Sequence, residues 1–527
     1  MTVFHGAIVS LDPDNREYDY LVAQDGRIAY LGNALPEEYA RGHSTVELGE
    51  GALLPAFGDG HIHFSNWALT DWAYFDVREA QTIQELQEII RGNLARYKKG
   101  QTVLAFGASR HQVREKRLIS KAELDAVCPD RPLIIICYDG HSALCNSRML
   151  AKLPARVKKL RGYGAQRGYI SHEAYFAATD YAASQVALKD LVASIIRGYD
   201  TLAENGVGMI HAVEGVGFPL DLDFSLVNWI AKARARRNQF QTRLFFQTLD
   251  VGKVLKRKLP RIGGCFATAV DGCFGACDAA LAAPYSHDPA NRGALYHSEV
   301  ELAEFVLKAH RAGLQIELHA IGDAAVARAV EALKSALKDT PREDHRHTLI
   351  HACLIRPEDL QKIADLDIGI TLQPGFLISP LEPVSYLEEI LGSRLQTSSP
   401  LKSILQAGIR LSGGSDAPVT HPDPIEGIYG ACNHPYDPAQ SLSVVEALKM
   451  FTYEVARASF DEQERGSLEK GKIADMVILN RNPLKLAPRE LRSLKVERLY
   501  LQGRAYEPGM GTAGMVWDAL RGRNESV

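Results

Sequence analysis

Two histidines one residue apart, His61 and His63, close the stretch Leu53-Leu54-Pro55-Ala56-Phe57-Gly58-Asp59-Gly60-His61-Ile62-His63. On a β-strand successive side chains alternate, so both imidazoles face the same side, as two ligands of one metal ion would. In a chain with 17 histidines such a pair carries little weight alone. Its position carries more. The apolar run before it fits a buried barrel strand whose carboxyl end opens onto an active site.

The elements that would place this pair can be read along the chain. With 527 residues the chain exceeds what one hydrophobic core usually organises, which predicts a large barrel plus a smaller domain. The first fifty residues alternate short strand-like runs with turns such as Asp12-Pro13-Asp14 and Asp25-Gly26, and residues 466–503 return to that texture. Between them, apolar runs at 103–106, 133–138, 207–213, 244–249, 265–270, 315–319, 348–351, 368–372 and 409–413 alternate with helical patterns such as 82–99 and 299–312. Together with the first strand these make ten, two more than a (β/α)8 barrel holds. The surplus is expected in an insertion within about 103–180, where Gly162-Tyr163-Gly164 and Gly168-Tyr169 break the pattern.

Composition bounds the function. Sixty basic against 64 acidic side chains give a net charge of -4, no electrostatic basis for a nucleic-acid partner. The eight cysteines lie scattered without a C-x-x-C pair, which suggests reduced thiols in a cytoplasmic protein. No basic leader and no run of about 18 apolar residues appears, so neither export nor a membrane partner is expected. A small-molecule substrate is expected, and a homo-oligomer is left open.

The run Leu54-Pro55-Ala56-Phe57-Gly58-Asp59-Gly60-His61-Ile62-His63 resembles the opening motif of the amidohydrolase superfamily, metal-dependent hydrolases on a (β/α)8 barrel. Later motifs are similar to the branch that contains N-substituted formamide deformylases. The resemblance implies an α/β fold: a TIM-type barrel over 55–467 and a discontinuous β-sandwich from 1–54 and 468–527. Gln315-Ile316-Glu317-Leu318-His319 resembles the fifth-strand motif, in which the histidine binds metal. Thr348-Leu349-Ile350-His351 matches the sixth-strand motif, with Ile350 where the branch usually has glutamate. Leu411-Ser412-Gly413-Gly414-Ser415-Asp416 is close to the eighth-strand motif, whose aspartate touches metal and handles the proton of the attacking water. Singly, a histidine at a strand end is more often a satisfied buried side chain, and Ser-Asp before Ala-Pro more often a turn. Together they fall in the superfamily's order.

The implied metal ligands are therefore His61, His63, His319 and Asp416, with His351 on a second metal or orienting substrate. Asp416 and His351 are the implied catalytic groups. Such ligands suit Zn2+, which lowers the pKa of a bound water. Members of the family commonly carry a bridging carboxylated lysine four residues before an Asp-Gly, and counting back from Asp271-Gly272 puts Ala267 there. One zinc per site is accordingly expected in preference to two. Glu317 and Cys265 should share the inward face with His319 and Ala267, as buried residues and not as ligands.

His141 and Asp139, in Tyr138-Asp139-Gly140-His141, resemble a substrate-contacting motif of the branch. His211, Glu173 and Glu317 are further candidate substrate contacts. The reading is a hydrolase of C–N bonds in amides, formamides or cyclic amides. The alternatives are a heterocycle aminohydrolase, distinguished by ammonia release, and a small-molecule binder without turnover, for which a proton carrier at Asp416 would have no use.

Overall fold

The computed structural model describes residues 1–42, 44–70, 73–216, 218–509 and 512–521. His43, residues 510–511 and 522–527, which belong to the terminal segments assigned above, lie outside the described residues.

The protein is α/β, built on a barrel of eight parallel strands in sequential order. These are β1 (Phe57–Ile62), β2 (Val207–Glu214), β3 (Gln241–Phe246), β4 (Arg261–Gly264), β5 (Gln315–Ala320), β6 (Thr348–His351), β7 (Gly369–Leu372) and β8 (Leu411–Gly413). Alternation along β5 shows how the pattern works. Ile316 and Leu318 join the large apolar core that the strands share with the surrounding helices, while His319 lines the cavity at the barrel mouth. The helix Glu299–Arg311, just before β5, starts where Ser298 and Glu301 form a reciprocal capping box.

The stretch expected as a strand over 265–270 is not one. β4 ends at Gly264, and residues Phe266–Thr268 form a 3₁₀ turn. Gly263 and Gly264 have φ of 109° and 117°, a region that side chains rarely enter, and a Cβ on Gly263 would lie 2.0 Å from the Glu317 carbonyl oxygen. The glycine pair lets the chain leave the sheet early. β3 also sits earlier than the apolar run 244–249 suggests.

Six short strands between β1 and β2 form a separate sheet whose edge strands are Phe75–Asp76 and Tyr163–Gly164. It takes in the runs Val103–Ala108 and Leu133–Cys137, which leaves eight strands for the barrel. The helix Ile83–Asn93, capped by Thr82, packs in this added layer and not around the barrel.

The two ends of the chain meet in one seven-stranded sheet. Its long strand Ser44–Pro55 pairs parallel with Thr2–Val9 and antiparallel with Met476–Leu479. Phe4, Ile8, Leu21, Leu53, Met476 and Ile478 fill its core. Ser44–Pro55 runs almost directly into β1, so this sheet anchors the first barrel strand.

The barrel closes between β8 and β1. The Asp416 amide donates to the His61 carbonyl at 2.9 Å, and the His63 amide to the Ala417 carbonyl at 3.1 Å. Asp59 fastens the same seam with its carboxylate, accepting from the Ser415 amide (3.0 Å), the Ser415 hydroxyl (2.5 Å) and the His61 amide (3.2 Å). A Cβ on Gly414 would lie 2.7 Å from the His61 nitrogen, so the strands approach too closely there for a side chain. Asp59→Ala strands these donors in the interior and should cost on the order of 3 kcal/mol, lowering the thermal midpoint in scanning calorimetry. An unchanged midpoint would show that the seam does not depend on this carboxylate.

Candidate metal centre

Each of the ligand candidates lies at a strand's carboxyl end. His61 ends the inward face of β1 and His63 follows it; His319 is on β5, His351 ends β6, and Asp416 follows β8. All are at least nine-tenths buried. His61 Nε2 and His63 Nε2 lie 3.3 and 3.2 Å from Asp416 Oδ1. That oxygen nonetheless makes no hydrogen bond among the described residues, and neither does Nδ1 of His61 or His63. Buried polar atoms are normally partnered. Atoms that crowd together without bonding to one another form a donor set that a cation would satisfy.

The outer contacts fix which nitrogens are free. His319 Nε2 donates to the Gly272 carbonyl at 3.1 Å, so its Nδ1 keeps a lone pair. His351 Nδ1 donates to Gln373 Oε1 at 2.6 Å, which leaves its Nε2. Gly272 is held in turn by Asp271, whose carboxylate accepts the amides of Ala280, Ile321 and Gly322 at 2.8, 2.9 and 2.8 Å.

The electrostatics agree. Burial raises the Asp416 carboxyl, but the adjacent His61, His63 and His351 rings outweigh it and hold the group well below the usual carboxylate range. Burial lowers His63, but Asp416 and the Cys265 thiol carry it up to about 9. The cluster favours positive charge.

Above these residues lies a cavity of about 120 Å³. His63, His319, His351, Cys265 and Asp416 form its polar end, and its walls are mainly aromatic: Tyr74, Phe106, Tyr138, Tyr175, Phe176, Phe274 and Phe376. Phe106, Tyr138, Asp139 and His141 come from the added sheet and its loops, so this layer builds one wall. Asp139 accepts the His141 amide at 2.8 Å, and burial raises its carboxyl. Glu382, near Tyr138 Oη at 3.1 Å, is pushed by burial up to about 7. Among the described residues no lysine or arginine lines this space.

Three sequence candidates are not in the cavity wall. Glu173 starts the helix His172–Ala183 with its side chain in solvent, paired with Arg161 at 2.9 Å; the same helix turns Tyr175, Phe176 and Thr179 inward. Glu317 is buried behind the site, 3.9 Å from His61 Nδ1, one inward position below His319. His211 lies three residues before the end of β2, too deep to reach the mouth, and neither ring nitrogen has a hydrogen-bond partner among the described residues. Asp59, Gln373 and Glu382 escaped the sequence reading as parts of the site, and Cys265 was weighed there and read as a buried residue and not as a ligand. Gly263-Gly264 was the signal for Cys265, because a strand that ends there makes Cys265, and not Ala267, the residue at its tip. Ala267 is exposed, its carbonyl accepting from His297 Nε2 at 3.1 Å.

A barrel whose strand ends converge imidazoles and a carboxylate beneath an aromatic-walled cavity defines a metal-dependent hydrolase. The amidohydrolase family model matches residues 44–506, and the chain belongs to that family. It is 24% identical over 538 residues to the N-substituted formamide deformylase of Arthrobacter pascens, covering 95% of this chain and 97% of that one. It is 26% identical to the protein LONG AFTER FAR-RED 3 of Arabidopsis thaliana, over 92% and 87% of the two chains. The crystal structure of an uncharacterized metal-dependent hydrolase from Pyrococcus furiosus superposes with a TM-score of 0.72 at 26% identity, over 92% of this chain and all of that one. No helix among the described residues is long and apolar enough to cross a membrane.

Two outcomes follow from this geometry. His61→Ala and His63→Ala should each lose bound metal and activity together, measured by elemental analysis beside turnover; full metal in either variant would remove that residue from the ligand set. His211 should act on stability instead. Burial, with Arg261 and Arg243 nearby, lowers its ring from 6.5 to about 3, so the unfolded chain takes up a proton that the folded chain refuses. This contribution is intact above pH 6.5 and is lost as pH falls towards about 3. Relative to His211→Phe, the wild type should lose roughly 2 kcal/mol between pH 7.5 and pH 5 in denaturant titrations. Parallel stability profiles would show that the ring titrates normally.

Proposed function

We propose that the protein hydrolyses a C–N bond of an N-substituted amide, formamide or cyclic amide that carries an apolar or aromatic group and no negative charge. The observation that carries this reading is the convergence of His61, His63, His319, His351 and Asp416 at one end of an aromatic cavity. These side chains would hold the metal, with zinc the ion that best suits such donors. A bound divalent ion supplies water acidified enough to act as a nucleophile near neutral pH.

The chain's own groups do the rest. Asp416 is ionised and buried beside the reacting end, so its carboxylate accepts the proton of the attacking water and delivers it to the departing nitrogen. A neutral amine is a far better leaving group than an amide anion, which is why one carboxylate serves both transfers. His351, its Nδ1 donating to Gln373, would turn its Nε2 lone pair toward the metal and not toward the substrate carbonyl. The walls of Phe106, Tyr175, Phe176 and Phe376 exclude water and hold the nitrogen substituent. Asp139 and Glu382 at the wall, with no lysine or arginine lining the cavity among the described residues, disfavour substrates with a free carboxylate. The likeness to a formamide deformylase supports the same substrate class.

Asp416→Asn should lower kcat by roughly 100-fold or more on a panel of N-aryl and N-alkyl formamides while KM changes little, because the amide cannot take the proton. Release of ammonia in place of amine and acid would overturn the proposal in favour of a deaminase. So would equal losses in kcat and in substrate affinity for the role of Asp416.

A further inference from the structure

We infer that Cys265 is a metal ligand, its thiolate shared between one ion held by His61, His63 and Asp416 and a second held by His319 and His351. This rests on the metal-centre reading above and adds to it a ligand and a second ion.

Cys265 is the first residue beyond β4 and is 5% exposed. Its Sγ lies 3.3 Å from His61 Nε2, 3.4 Å from His319 Nδ1 and 3.8 Å from His351 Nε2. Ligand atoms of Cys265, His61, His351 and Asp416 all fall within 4.8 Å of one another. With metal–nitrogen bonds near 2.0–2.1 Å and metal–sulfur bonds near 2.3 Å, the nitrogen–sulfur edge of a tetrahedral site is about 3.5 Å, and a nitrogen–oxygen edge about 3.4 Å. The sulfur contacts, and the 3.2 and 3.3 Å from Asp416 Oδ1 to His63 and His61, match those edges.

Hydrogen-bond accounting excludes an inert thiol. His319 Nδ1 and His351 Nε2 both keep lone pairs, because each ring's proton is on the nitrogen that donates to Gly272 or Gln373. Both lone pairs approach the same sulfur. One S–H can serve only one of them and leaves the other facing sulfur without a proton. A metal ion on either side of a thiolate satisfies every donor. On binding, the S–H bond breaks, the sulfur keeps the electron pair as a ligand, and the proton leaves to solvent.

The count of donors points to two ions. Five imidazole or carboxylate groups and a thiolate exceed what one tetrahedral ion with an open position accepts. Neighbouring dications also need a shared anion against their repulsion. Cys265 occupies that central place, which Ala267, exposed on the following turn, cannot.

The test uses the full chain, stripped of metal and reloaded with Co2+. The wild type should bind two ions per chain and show a near-ultraviolet thiolate-to-cobalt charge-transfer band. Cys265→Ser and Cys265→Ala should lose that band and bind one ion fewer, while Cys353→Ser, whose thiol also lines the cavity, should keep it. Circular dichroism of the variants checks that they fold. A band that survives in Cys265→Ser, or a wild type with one ion per chain, overturns the shared thiolate while leaving the metal reading standing. A folded wild type that binds no cobalt or zinc overturns both.

Discussion

The site depends on the closure of the barrel between its last strand and its first. His61 and His63 arrive on β1 and Asp416 just after β8, so the two sides of this ligand group are about 350 residues apart in the chain and meet only because the seam is tight. The seam is made of main-chain bonds from Asp416 to His61 and from His63 to Ala417, fastened by Asp59. Because those bonds use the backbone of the candidate ligand residues themselves, positioning those side chains and closing the fold are one event. Asp416 has φ of 53°, a strained conformation for a residue with a Cβ, and strain of about 1–3 kcal/mol of that kind persists only where the surroundings fix it.

Around that seam the structure divides its labour. The barrel strands supply polar donors at their carboxyl ends, where side chains can converge without disturbing the apolar layers beneath. The added six-stranded layer supplies Phe106, Ile136, Tyr138 and His141, the parts of the cavity that decide shape. Substrate preference can therefore change through the added layer while Asp416 and the histidines stay in place, which is how one barrel supports many chemistries.

Much of this was legible in the residues. Period-two alternation sets His61 and His63 on one face of their strand, while His319, His351 and Asp416 are singled out by the resemblance of their segments to the superfamily's later strand motifs. The failures have separate causes. Ala267 was placed at the bridging position by counting back along an assumed strand, but Gly263 and Gly264 end the strand before Cys265, and a positive φ cannot be read from spacing alone. His211 and Glu317 do face inward, yet depth along a strand is set by register with its neighbours, which sequence does not print. Glu173 failed for a third reason: its helix presents one face to the cavity, and Glu173 is on the other. Asp59 was quoted as part of a motif, but its partner Ser415 lies 356 residues away.

The balance of charge ties the metal centre to the choice of substrate. Two dications would bring four positive charges into a space whose buried anions are Asp416 and Cys265, with Asp139 and Glu382 farther up the wall. The residual positive charge favours hydroxide and the oxyanion that develops as an amide is attacked. It would also attract any carboxylate, and a carboxylate product that bound tightly would inhibit. Asp139 and Glu382 oppose that binding from the wall, and the high pKa of Glu382 lets it take up a proton near neutrality instead of repelling at full strength. In the proposed reaction an acid product formed beside a metal would be opposed by Asp139 and by whatever fraction of Glu382 is ionised, whereas a neutral substrate would not.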